Sequence, residues 1–245
     1  MKLSERQNNI LELLKEKRNC EVRALSESLF VSEATIRRDL TELQKLGLIE
    51  RTHGGAVLED NAEEISIFVR MNENSKEKEL AATNALPNLP EFSSVFVDSS
   101  STALALAERM DLSHKTVVTN NLQTAMRLSN KKDINLIILG GSVQYNTVSA
   151  TGSFAFRQLG EFSFDLMICS CAAVNDGEAL ERSIEQKEIK SAAMHRAKYK
   201  ILVFDSSKYA ENGSYKVASL SDFDLVATDK KPPMDISREN INIVY

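Results

Sequence analysis

"SEATIRRDL", residues 32–40, sets two adjacent arginines and a threonine beside regularly spaced apolar side chains. Ile36, Leu40 and, just past the quoted run, Leu43 recur at i, i+4 and i+7. That spacing lines one face of a helix and buries it. Arg37 and Arg38 must then project from other sides. Ser32 stands where a side-chain oxygen caps a helix start, and Gly47 where a helix stops, so the helix is expected to run between them.

The flanking sequence completes a small unit. "SERQNNILELLKEK", residues 4–17, opens with Ser4 and Gln7 at capping-box spacing, and Leu3, Ile10, Leu13 and Leu14 give it one apolar stripe. "CEVRALSESLF", residues 20–30, reads as a shorter amphipathic helix with Val22, Leu25 and Leu29 inward. "LIERTHGGAVL", residues 48–58, reads as two short strands around a polar, glycine-rich tip. Three helices and a hairpin form the layout of a winged helix-turn-helix, whose third helix enters the DNA major groove N-terminus first. Ser32, Thr35, Arg37 and Arg38 occupy that end. Arginine's planar donor fork suits guanine O6 and N7 or a pair of phosphates. Arg51 and His53 on the wing would hold the backbone or the adjacent minor groove. The competing reading pairs Arg37 and Arg38 with Glu33, Asp39 and Glu42 on a solvated face.

The run "SEATIRRDLTELQKLGLIERTHGGAV", residues 32–57, resembles the DNA-binding signature of the DeoR family of bacterial transcription regulators. T-I-R-R-D-L and R-x-H-G-G-A both stand intact, and Arg6, Ile10 and Leu14 match the upstream spacing. The resemblance implies double-stranded operator DNA as a partner.

Charge agrees with local rather than bulk contact. The chain of 245 residues carries a net charge of −5. Its first 57 residues hold 10 Lys+Arg against 9 Asp+Glu, and the remainder 20 against 26. Arginines that meet DNA must therefore act by placement. Apolar runs are too short for a transmembrane span, and the charged start lacks a signal-peptide core, so a cytoplasmic protein is expected. Cys20, Cys169 and Cys171 do not suggest a disulfide framework. Cys169-Ser170-Cys171 reads as half a metal site or as cysteines closing an apolar strand, and no histidine lies nearby in sequence. The strand reading is taken, with no metal or cofactor expected.

Residues 58–75 are acidic and polar and read as a linker between a head (1–57) and a large domain (76–245), with Phe68 as an apolar anchor and Arg70 at a familiar place. In the large domain seven β-rich runs, "SVFVDSS", "TVVTNN", "NLIILGG", "DLMICSC", "KILVFDSS", "DLVATD" and "INIVY", alternate with helix-patterned stretches. The pattern predicts a mostly parallel α/β sheet covered on both faces. Polar clusters close the runs: Asp98-Ser99-Ser100-Ser101-Thr102, Thr119-Asn120-Asn121, Gly140-Gly141 and Asp205-Ser206-Ser207-Lys208. Ligands of open α/β sheets bind beyond the carboxyl ends of the strands. Hydroxyls and N–H groups opening a helix suit a phosphate, and Lys208 would add charge. Turn formation and N-capping account equally for any one cluster.

This half resembles the sensor domain of the same family, which shares its fold with sugar-phosphate isomerases and binds phosphorylated sugars or related metabolites. Asp98–Thr102 corresponds to the family's D-x-G-T-T loop with Ser100 for glycine, and Asp205–Lys208 to its D-H-S-K segment with serine for histidine. Lys190 matches a helix lysine, with Gln186 where an acidic residue is usual and Glu185 adjacent. The resemblance implies a repressor of sugar or related metabolite genes, binding operator as a dimer or tetramer under control of a phosphorylated effector. Two alternatives stand beside it: a regulator whose large domain only oligomerises, and a sugar-phosphate-isomerase-like enzyme.

Overall fold

The computed structural model describes residues 4–45, 48–58, 66–233 and 241–245. Leu3, Gly47 and residues 59–65 of the expected linker lie outside them. Two compact units result, Met1–Asn72 and Glu73–Tyr245.

The first unit runs α1 (Glu5–Lys17), β1 (Asn19–Glu21), α2 (Val22–Leu29), α3 (Glu33–Lys45), β2 (Ile49–Thr52), β3 (Gly55–Leu58) and α4 (Ile67–Arg70). Ser4 and Gln7 close the expected capping box. Ile36, Leu40 and Leu43 are fully buried, as the spacing of α3 requires, and pack with Ile10, Leu11, Leu14, Val22 and Leu25. On α1 the stripe is centred on Leu11, and Leu13 is only partly buried.

The wing holds one strand more than the sequence suggested. Asn19–Glu21, of which Cys20 and Glu21 were expected at the start of a helix, instead pairs antiparallel with β3 and makes a three-stranded sheet in the order β1-β3-β2. A three-residue strand running straight into a helix has no periodicity to announce it. The double glycine makes the arrangement feasible. Gly54 turns the hairpin at φ +92°, and a Cβ on Gly55 would lie 2.3 Å from the Cys20 carbonyl oxygen. Nor does the core of the unit end with the wing: Val69, on α4, packs into it. Phe68, the expected anchor, is only half-buried, and its neighbours Ile67 and Val69 are the buried residues.

The second unit contains α5 (Ser75–Ala85), β4 (Ser94–Val97), α6 (Ser101–Arg109), β5 (Thr116–Thr119), α7 (Leu122–Leu128), β6 (Asn135–Ile138), β7 (Ser142–Gln144), β8 (Ser149–Thr151), α8 (Gly152–Gly160), β9 (Phe164–Cys169), β10 (Ala173–Asn175), β11 (Glu178–Glu181), α9 (Ile184–Arg196), β12 (Ala197–Val203), β13 (Tyr215–Ser219), β14 (Leu225–Ala227) and β15 (Ile243–Val244). Among the described residues, the seven β-rich runs form one seven-stranded sheet in the order β15-β14-β12-β9-β4-β5-β6. Every pairing in it is parallel. Val95, Phe96 and Val97 are all buried, the mark of a strand covered on both faces. The chain winds from β4 outward to β6, then returns to β9 on the other side of β4, so the strand order reverses between β4 and β9. That reversal is where open α/β sheets form a crevice. The hairpin β7–β8 and the small sheet β10-β11-β13 were not legible as strands in the sequence. No helix among the described residues is long and apolar enough to cross a membrane.

Gly55→Ala is expected to destabilise the first unit by about 1–3 kcal/mol, since a methyl group cannot enter against the Cys20 carbonyl without moving β1. Urea denaturation followed by circular dichroism measures it, and an unchanged midpoint would show that β1 yields freely.

Candidate DNA interface and effector site

On α3 two of the three acidic side chains set against the arginines, Asp39 and Glu42, are engaged by α1 instead. Asp39 is buried and accepts from Arg6 of α1 through both oxygens, Nε at 2.5 Å and Nη2 at 3.1 Å. Glu42 accepts from Gln7 Nε2 at 2.6 Å. The Arg6 guanidinium is pushed above its ordinary pKa, first by the hydrogen bond to Asp39. Of the carboxylates that might have neutralised the arginine pair, only Glu33 does so, bonded to exposed Arg37 at 2.7 Å. Arg38 is exposed and has no polar partner among the described residues. Ser32 caps the helix, its Oγ accepting from Thr35 N at 3.3 Å and lying 2.9 Å from the Thr35 hydroxyl. Arg51, expected to reach outward, lies back on α3: its Nη1 donates to the Arg37 carbonyl at 3.5 Å and to Thr41 Oγ1 at 3.3 Å. His53 is exposed at the hairpin turn.

In the second unit, Asp98 closes β4 and Ser170 follows β9, so both flank the reversal of strand order. Lys190 reaches them from α9. Its Nζ bonds Asp98 Oδ2, donates to the Ser170 carbonyl at 2.9 Å and lies 3.2 Å from Glu181 Oε1 on β11. Asp98 is 1% exposed, Lys190 3% and Glu181 5%. Burial works against the Lys190 ammonium, but Asp98 and Glu181 more than offset it, and its pKa stands well above the usual lysine value. Asp98 also accepts from Ser100 N at 2.9 Å and from the Ser100 hydroxyl on Oδ1, and from Ser170 N at 3.2 Å on Oδ2. A second cluster is neutral. Gln186 Oε1 accepts from Ser99 Oγ at 2.7 Å, and its Nε2 donates to Ser149 Oγ at 2.8 Å and Thr147 Oγ1 at 3.3 Å.

The chain matches the DeoR-like helix-turn-helix domain over residues 6–62 and the DeoR C-terminal sensor domain over residues 73–230. It belongs to the DeoR family of transcription regulators. The glycerol-3-phosphate regulon repressor of Escherichia coli K12 is 33% identical over 96% of this chain and 94% of that one. The transcriptional repressor GlcR of Bacillus subtilis is 29% identical over 91% of this chain and 87% of that one. Among solved structures, ribose 5-phosphate isomerase A of Methanocaldococcus jannaschii overlaps 56% of this chain and 55% of its own at a TM-score of 0.40, with 13% identity.

Set against the DeoR pattern, most of the polar clusters are occupied. Ser100 caps α6, its Oγ accepting from Ala103 N, and Asn121 caps α7 through Thr124 N. Thr119 Oγ1 accepts from Asn121 N at 3.1 Å. Asn120 Nδ2 donates to the Ala150 carbonyl at 3.0 Å. Gly140 and Gly141 end the edge strand β6 and meet Gln158 and Thr151, not the Asp98 cluster. Asp205 Oδ1 accepts from Ser207 N and Oγ and from Asn74 Nδ2. Asp98 therefore has no oxygen to spare for ligand hydroxyls, and Lys190 is enclosed with it.

What remains uncommitted is small. The Ser101 and Thr102 hydroxyls on the first turn of α6 have no hydrogen-bond partner among the described residues. Half-buried Lys208 has no anionic partner there either. Asn120 Oδ1 and Asp205 Oδ2 are buried acceptors without a donor. Lys190 and Lys208 both act electrostatically on the Cys171 thiol, so the two cations share one neighbourhood, and burial is the main force raising that thiol's pKa. Cys169 and Cys171 are buried free thiols closing β9, as the strand reading expected. Ser170, Glu181, Thr147 and Ser149 escaped sequence reasoning. The α9 contacts of Ser170, Thr147 and Ser149 lie 20 to 39 residues away and that of Glu181 nine, on another element, and no local pattern marks them.

Lys190→Met leaves two buried carboxylates without a counter-charge and is expected to cost about 3–5 kcal/mol. Because the folded pKa of Lys190 is raised from its ordinary 10.5, its contribution is complete below that pH and is lost only as pH rises through the higher folded value. In the variant the dependence takes another form. Folding then takes up a proton, so stability should increase as pH falls from 8 toward 5, a slope that chemical denaturation at each pH reads directly.

Proposed function

We propose that this DeoR-family regulator is a repressor whose operator affinity is set by a phosphorylated polyol or sugar bound at the carboxyl edge of the parallel sheet. The observation that carries this reading is the short inventory of groups left free there. Two hydroxyls sit on a helix N-terminus, which attracts phosphate. One ammonium lacks an anion, and two buried oxygens, Asn120 Oδ1 and Asp205 Oδ2, lack the donors that ligand hydroxyls supply. The relative named for a glycerol-3-phosphate regulon has the matching chemistry in its name. Ser101, Thr102 and Lys208 are assigned to the phosphate, and Asp205 and Asn120 to hydroxyls. Gly140, Gly141 and Thr119 shape the edge of the crevice, while Asp98, Ser100 and Lys190 hold it together.

Sensing is favoured over catalysis because Lys190 already engages both Asp98 and Glu181, the acidic groups best placed to move protons. The protein is assigned to the cytoplasm, where operator and metabolite both lie. On the DNA side, Arg38, Arg37, Ser32 and Thr35 are assigned to the major groove and adjoining phosphates, and His53 to the wing contact. Arg51 is assigned a positioning role, tying β2 to α3. The regulator acts as a homo-oligomer, since one small head makes few base contacts and paired heads read repeated half-sites. Ile138 on the free edge of the sheet, with Val143, Tyr145 and Phe154, exposes apolar surface suited to self-association.

The test is thermal shift with glycerol 3-phosphate and a panel of sugar phosphates, followed by operator titration with and without the best ligand. A ligand at 100 times its Kd should stabilise by about 2.7 kcal/mol. Lys208→Ala should abolish the ligand response while operator affinity without ligand stays at the wild-type value. Silence across the whole panel would leave the large domain as an oligomerisation platform. Arg38→Ala should weaken operator binding and, if the contact is to phosphate, reduce the salt slope by about one.

A further inference from the structure

Phe30 breaks two local rules at once. It ends α2 in the left-handed conformation, φ 54° and ψ 40°, where glycine or asparagine is the usual residue. A non-glycine side chain there costs about 1–2 kcal/mol. It is also 95% exposed, so its ring packs on nothing, whereas the next most exposed large apolar side chain among the described residues, Met126, is 66% exposed. Single exposed apolar residues are ordinary, but one that adds backbone strain to complete exposure is not.

The turn that holds it is fixed. Phe30 N and Val31 N both donate to the Ser26 carbonyl, and Ser26 Oγ donates to the Val31 carbonyl. Val31 packs against the core of the first unit. Two residues on, Ser32 caps α3, so the Phe30 Cα lies within about 7 Å of the N-terminus of the recognition helix. A hydrogen-bonded turn thus carries the exposed ring two residues ahead of Ser32, at the N-terminal end of α3. Duplex DNA offers an aromatic ring in the major groove one apolar feature that depends on sequence, the 5-methyl group of thymine.

We propose that Phe30 contacts a thymine methyl at the edge of the half-site and so selects the base there, an inference that rests on the DNA-binding role of the head. Full-length wild type, Phe30→Asn and Arg38→Ala are titrated against a duplex recovered by the wild-type protein from a randomised pool. The same duplex is then made with each thymine replaced in turn by deoxyuridine. One such replacement should weaken wild type about four-fold, the equivalent of ~0.8 kcal/mol for one apolar carbon. Phe30→Asn should bind the all-thymine duplex weaker by the same factor, be indifferent to that replacement, and melt no lower than wild type, since asparagine tolerates the left-handed turn. Wild-type affinity in Phe30→Asn would overturn the proposal, as would a wild-type protein indifferent to every deoxyuridine. Loss of affinity together with a smaller oligomer would place the ring in a protein contact and overturn it too. Arg38→Ala separates the two readings: if it also binds like wild type, the assignment of α3 fails, not Phe30 alone.

Discussion

One buried ammonium closes the larger unit. Strands β4 and β9 pair in parallel up to Val97 and Ile168, although 66 residues separate the end of one from the start of the other. Beyond that ladder Lys190 ties the two loops together, bonding Asp98 after β4 and the Ser170 carbonyl after β9, with Glu181 of the small sheet drawn to the same nitrogen. Removing three charges from water is costly, and Coulomb attraction offsets it only when the remaining lone pairs are satisfied as well. Here the donors are supplied by Ser100 N, the Ser100 hydroxyl and Ser170 N. The ion cluster therefore fixes where α6 begins, because Ser100 both serves Asp98 and caps that helix.

The head solves the opposite problem, keeping cations free. A helix with Glu33, Asp39 and Glu42 among its arginines would neutralise itself if all of them faced one way. Helical spacing separates them, and α1 engages buried Asp39 through Arg6 and exposed Glu42 through Gln7. Only the Glu33–Arg37 pair survives on the surface, at i, i+4, where such pairs are worth a few tenths of a kcal/mol. Phosphate contacts can displace a link that weak.

Much of this was legible because it is periodic. The Ile36–Leu40–Leu43 face, the seven strand runs and the Ser4 capping box follow from spacing, and each stands where spacing puts it. Strand β1 was not legible, because three residues carry no period and its cause lies 34 residues away, in the close approach that Gly55 permits. The site was legible as a list of strand ends but not as a division of labour. Asp98 and Lys190 are 92 positions apart, and Glu181 sits on a short strand indistinguishable from loop. Small polar residues at strand ends cap helices and bind ligands with the same atoms, so only a count of hydrogen bonds separates the two uses.

That count also gives the part played by Ser100, the residue that the resemblance sets against a glycine. Ser100 is extended, at φ −87° and ψ 148°, so the backbone there makes no demand that only glycine meets. Its N–H and hydroxyl turn toward Asp98. A loop in this state has fewer free N–H groups to wrap an anion than a glycine-rich one, whose successive amides converge on it. What is left is the first turn of α6 with the Ser101 and Thr102 hydroxyls. On the proposed reading such a cradle would contribute direction but little charge, and the burden of holding a dianion would fall on Lys208. The ammonium enclosed by Asp98 and Glu181 cannot share that burden, because its positive charge is already spent on two carboxylates.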